Sequence, residues 1–184
     1  MPNAILDPTG RAQRPQAVKS LAARRADLRG ARVGLLENGK QNAALFLADL
    51  GELLLARHGA AAVVRRTKHN FAQPIEEALL ADLAAECDVV ITGVGDCGSC
   101  SAAAVADGIA LEGRGVPAAV ICTEAFVASA DAMAGIQGSP GYRYARTAHP
   151  VAVLTPDEVA ERAEAVLPHV MTLLSSDQIA SRVA

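Results

Sequence analysis

Two cysteines three positions apart, Cys97 and Cys100, stand in the run Gly93-Val94-Gly95-Asp96-Cys97-Gly98-Ser99-Cys100. The chain of 184 residues has only four cysteines, too few for a disulfide scaffold, so a C-x-x-C pair points to redox, metal or nucleophile chemistry. In a reducing compartment both thiols are expected to be free at rest. A thiolate is the reactive form, and an ordinary cysteine with a pKa near 8.5 is only ~3% thiolate at pH 7.

The apolar run before the pair and the small residues after it place the cysteines in a strand-to-helix turn, with Cys97 just before the helix and Cys100 in its first turn. A helix N-terminus favours the anion by ~0.3 to 1 kcal/mol, whereas lowering a thiol pKa by about two units takes ~2.7 kcal/mol. A second donor is therefore required. Asp96 opposes a neighbouring thiolate, while Lys40, Lys68 and His69 carry the charge or proton that supports one. Gly93, Gly95 and Gly98 let the backbone turn sharply and leave N–H groups free for an anion or oxyanion.

The elements that must position this turn repeat as short aliphatic runs and helical stretches, the sequence form of βαβ units. Strands are expected at 32–36, 61–65, 88–92, 117–121 and 151–154. Helices are expected at 42–57, from Pro74 to Glu86, from Ser99 to Glu112, from Ala125 to Met133, and after Thr155. Thr155 and Glu158 have capping-box spacing around Pro156, and Pro168 should kink or divide the last helix. Five strands with right-handed crossovers give an α/β three-layer sandwich, flavodoxin-like, with parallel order 2-1-3-4-5. Residues 1–31 read as an N-terminal arm carrying a short helix from Lys19 to Arg32, and residues 32–184 as one α/β domain.

Ligands of such sheets bind beyond the carboxyl ends of the strands, near the switch between the first and third. Four loops meet there, so substrate contacts are expected from Asn38, Gly39 and Lys40, from Gly95, Gly98 and Ser99, and from Thr123 and Glu124. The catalytic set is expected to be Cys97, Cys100, Asp96, Lys68 and His69. Tyr142, in the long loop from Gly135 to His149, is expected to close over a small substrate or to pack on a neighbouring subunit. Cys122 reads as a buried residue at a strand end, although Cys97, Cys100 and Cys122 with His69 offer a tetrahedral zinc alternative. Cys87 reads as inert core, His58 and His169 as solvent or packing residues. His149 precedes the expected fifth strand at the edge opposite the thiols and reads as structural, unless the loop before it folds back over the site.

Composition narrows the partners. The residues are 51% hydrophobic but only 3% aromatic, which favours a core of Ala, Val, Leu and Ile. A net charge of -3 gives no basic surface for nucleic acid or anionic lipid. No apolar run approaches the ~18 residues needed to span a bilayer, and the first residues lack a signal-peptide pattern. A cytoplasmic protein acting on a small molecule is expected, as a dimer, with no cofactor required. Spellings for phosphate loops, dinucleotide folds and serine hydrolases are absent.

The run from Val89 to Cys100 resembles the family named for its U-G-S-C motif, where U is selenocysteine, in a cysteine-containing form. The likeness extends to Leu6-Asp7-Pro8-Thr9-Gly10, Ala106-Asp107-Gly108 to Glu112, Pro117 to Phe126, and His149-Pro150. It implies that Cys97 fills the selenocysteine position and attacks, with Cys100 as the companion thiol. The expected function is a thiol-dependent enzyme in which Cys100 resolves an adduct on Cys97 by thiol-disulfide exchange or reductive cleavage. Cofactor-independent lyase, racemase or hydrolase chemistry by Cys97, and a cysteine-ligated metal-binding module, stand as alternatives.

Overall fold

A computed structural model describes residues 21–176. Its elements run β1 (Arg32–Glu37), α1 (Ala43–His58), β2 (Ala62–Thr67), α2 (Glu77–Glu86), β3 (Val89–Gly95), α3 (Gly98–Gly113), β4 (Ala118–Thr123), α4 (Val127–Ile136), β5 (Ala145–Thr147) and α5 (Pro156–Leu174). All strand pairs are parallel, in the order β2-β1-β3-β4-β5. The chain is therefore the flavodoxin-like three-layer sandwich that its alternating pattern predicts.

Alternation along the strands builds the layers. Val33, Leu35, Val89, Ile91 and Ile121 face Phe46, Leu50 and Leu54 of α1 and Val159, Val166 and Val170 of α5. Leu36, Val90 and Ala118 face Leu80 and Leu83 of α2, while Val120 and Cys122 meet Val105 and Ile109 of α3. Every residue of β3 and β4 is buried, as parallel strands covered on both faces must be.

Several boundaries depart from the sequence reading. The fifth strand is Ala145–Thr147, not 151–154. The apolar 151–154 segment joins no ladder because side chains take its backbone groups. Asp96 accepts the N–H groups of Val151 and Ala152, and Asn42 donates to the carbonyls of Val151 and Leu154. Helix α5 runs unbroken through Pro168, which lies on the exposed face, one turn after exposed Glu164, where a freed carbonyl meets water. Thr155 and Glu158 do form the capping box. Helix α4 is preceded by a 3-10 turn at Glu124–Phe126, so it starts later than expected.

No helix forms in residues 21–31. Arg24 instead lies across the domain, giving two bonds to the buried Glu112 carboxylate and one to the carbonyl of Leu173. Glu112 also accepts the N–H groups of Ala22 and Ala118, so this segment is tied to α3 and the start of β4. The rest of the expected arm, residues 1–20, and the terminal residues 177–184 lie outside the described residues.

Candidate active site

Strand β3 is longer than the sequence pattern suggests. Gly93, Val94 and Gly95 are strand residues rather than part of the turn, with a register shift against β4 between Thr92 and Gly95 and a cis peptide between Gly93 and Val94. Asn38 donates to the carbonyl of Val94, which anchors the end of β1 beside it. Gly95 is required by packing: a Cβ there would lie 2.7 Å from Ser101 Oγ and 2.8 Å from Cys122 Sγ. Gly95→Ala must push the start of α3 off the sheet, and a loss of about 1 to 3 kcal/mol in urea unfolding is expected.

Cys97 is the N-cap of the 16-residue helix α3, and its sulfur accepts the N–H of Cys100 at 3.3 Å. The Cα atoms of Cys97 and Cys100 stand 5.2 Å apart, within the disulfide range, and the two are joined as a disulfide. The expectation of free thiols is corrected on this point: C-x-x-C across a helix start brings the residues to bonding distance. The two sulfurs are not equivalent, since Cys100 is fully buried whereas Cys97 is half-buried at the helix mouth, with Ser99 Oγ 3.5 Å from its sulfur.

Two of the cations expected to support a thiolate, Lys68 and Lys40, are engaged elsewhere. Lys68 is buried and donates to Asp107 of α3 at 2.5 Å and to the carbonyl of Gln73 at 2.6 Å. Asp107 also accepts the Ile75 N–H, so the pair tethers the loop after β2 to α3; burial pushes its carboxyl up while Lys68 pulls it back. Lys40 lies over the ring of Phe71, 4.0 Å from its centroid. His69 is exposed on the loop beside Asn70 and Gln73, Gly39 is exposed, and Glu124 is exposed at the head of its 3-10 turn.

Tyr142 faces inward: its side chain is buried with Val105, Ile109 and Val120, against Gly108 of α3, because it fills the gap left by that glycine. A cleft of about 500 Å³ opens at the β5 edge, lined by Asp131, Tyr142, Tyr144, Arg146 and His169 among others, and includes none of the residues of the cysteine turn.

His149, read from sequence as structural and distant, lies at the thiol edge instead. The Asp96 side chain, only 7% exposed, accepts His149 Nδ1–H at 2.9 Å and the two N–H groups of Val151 and Ala152. Thr123 donates to the carbonyl of Gly95 at 3.2 Å and places its oxygen 3.3 Å from the same His149 nitrogen. Phe126 holds the ring edge-on at a centroid distance of 5.3 Å. A carboxylate only accepts, so Nδ1 carries a proton and Nε2 is the nitrogen that Asp96 does not engage. The sequence held one signal for this residue, the His149-Pro150 dipeptide, but nothing in it told on which edge the ring would lie.

Cys87 and Cys122 are free and buried, and burial pushes their thiols up, to about 11 and about 12. At pH 8 both are protonated. Iodoacetamide is therefore expected to label neither in the native protein, to add one fast adduct at Cys97 after reduction, and to add none before it; peptide mapping after a brief pulse reads this directly. Among the described residues no three His, Cys, Asp or Glu groups are gathered as a metal site, and Cys122 Sγ points to the Ser101 carbonyl, 3.9 Å away. No described helix is long and apolar enough to cross a membrane.

No curated protein matches the chain. A family model described as the UGSC family matches residues 4–176. Matched over nearly all of its 184 residues, the chain belongs to the UGSC family.

Proposed function

We propose that this protein is a thiol-dependent enzyme that reduces a small molecule bearing a disulfide or similarly cleavable sulfur bond. The observation that supports the reading best is the asymmetry of the pair: Cys97 caps α3 and reaches the surface, while Cys100 is fully buried within bonding distance of it. Such an asymmetry supports a reading of Cys97 as attacking thiol and Cys100 as resolving thiol.

The Cys97 thiolate attacks one sulfur of R–S–S–R′, forming a mixed disulfide and releasing R′S⁻, which takes up a proton. The Cys100 thiolate then attacks Cys97 Sγ, releasing RS⁻, which is protonated in turn. Two electrons pass from the cysteines to the substrate, and the enzyme is left as the Cys97–Cys100 disulfide. A cellular dithiol, or two monothiols of a reducing cytosol, returns it to the reduced state. The first α3 N–H groups at Gly98 and Ser99 favour negative charge on Cys97 during the exchange.

Single-turnover reaction of the reduced protein with an aryl disulfide such as 5,5′-dithiobis(2-nitrobenzoate) tests this. Two aryl thiolates released per chain, with no mass adduct remaining, is the expected result. One thiolate released with an aryl group retained, or none released at all, contradicts it.

A further inference from the structure

We propose that His149 is the proton carrier of this thiol site, held in its working tautomer by Asp96 and seated by Thr123. The inference rests on the reading of Cys97 as the attacking thiol and adds the group that manages protons there.

The ring is held from three sides, by the Asp96 carboxylate, the Thr123 oxygen and the Phe126 ring. All three come from the carboxyl ends of β3 and β4 or just beyond, and Asp96 is joined by a peptide bond to Cys97. Asp96 is itself satisfied by the Val151 and Ala152 N–H groups, so it has no freedom to swing to the thiol. The charged groups placed around His149 are this carboxylate and the Arg162 guanidinium of α5, which donates to the carbonyl of Ala148 next to it. Nδ1 is committed and the imidazole is 37% exposed, so Nε2 is the nitrogen available to the reaction.

The proton cycle closes without an outside acid. Cys97 S–H gives its proton to Nε2 as the thiolate forms; the thiolate attacks R–S–S–R′; the proton on Nε2 passes to departing R′S⁻. In the second step the proton of Cys100 S–H follows the same route to RS⁻. The sum is R–S–S–R′ plus two cysteine thiols giving RSH, R′SH and the Cys97–Cys100 disulfide. Asp96 and Thr123 are positioning residues, since they act through the imidazole.

Leaving groups separate this role from a merely structural one. An aliphatic thiolate needs a proton as it leaves, whereas an aryl thiolate does not, and at pH 9 an ordinary thiol ionises largely unaided. In the full-length protein, His149→Gln is expected to slow reduction of bis(2-hydroxyethyl) disulfide at pH 7 by on the order of 100-fold or more, the scale of general acid-base catalysis. Its reaction with 5,5′-dithiobis(2-nitrobenzoate) at pH 9 should stay within about 3-fold of the wild type, on the same scale. Asp96→Asn should show the same selectivity with a smaller loss. Equal losses on both disulfides would assign His149 to structure, and no loss on either would remove it from the chemistry; each overturns the inference while Cys97 remains reactive. Absence of reaction between the wild-type protein and the aryl disulfide would instead overturn the thiol reading, and this inference with it.

Discussion

Cys97→Ser is expected to lower steady-state reduction of a small disulfide by roughly a thousandfold or more, the scale reached when a nucleophile is deleted. A hydroxyl cannot supply the anion that a thiol supplies near neutral pH, and it forms no exchangeable bond to sulfur. The fold should be unaffected: Cys97 is a half-buried N-cap, and serine is a preferred residue at that position. Activity of the reduced variant, normalised to far-UV circular dichroism and unfolding midpoint, checks the point. Wild-type turnover in Cys97→Ser would transfer the role to another residue.

The largest stability effect is expected at the buried pair Lys68 and Asp107, whose side chains are 3% and 0% exposed. Removing one member leaves the other charge without its partner in a dry interior, and Lys68→Met or Asp107→Leu should each cost about 3 to 5 kcal/mol. For a domain of this size that is roughly a 10 °C fall in the unfolding midpoint. The double variant should recover much of the loss, because two apolar side chains leave no charge stranded. Only the Ile75 N–H and the Gln73 carbonyl then lose their partners. Thermal and urea unfolding of the three variants provide the cycle; equal losses in the single and double variants would show that the pair is not coupled.

The fold was legible wherever burial on both faces wrote an unbroken aliphatic run. Val89 to Ile91 and Ala118 to Ile121 could only be central strands, and the capping residues of α5 were spelled out by Thr155, Pro156 and Glu158. The segment 151–154 misled because it is as apolar as a strand; its backbone is taken by Asp96 and Asn42, contacts that cross 55 and 109 positions of sequence. No local pattern carries such information. The same limit explains Lys68: its position at the end of β2 was legible, but its partner Asp107, 39 positions away inside α3, was not.

The site divides in the same way. Cys97 and Cys100 were legible because their chemistry lies in their spacing, and the helix start supplies the geometry. His149 was not, because its importance comes from Asp96, 53 positions earlier, and from the short β5 that returns the chain to the thiol edge. The inward packing of Tyr142 was not legible, since a loop aromatic can face outward or inward, and the missing side chain of Gly108 decides it. Asp96, first read as an electrostatic burden on the thiolate, has its charge absorbed by one imidazole and two backbone N–H groups.

The most direct test of Cys97 as attacking thiol and Cys100 as resolving thiol is intact-mass analysis, with peptide mapping, of reduced Cys100→Ser after one addition of 5,5′-dithiobis(2-nitrobenzoate). Release of one aryl thiolate per chain and retention of the other as a stable mixed disulfide on Cys97 is the predicted result. Label on any other cysteine, or release of both thiolates with no adduct, would contradict it.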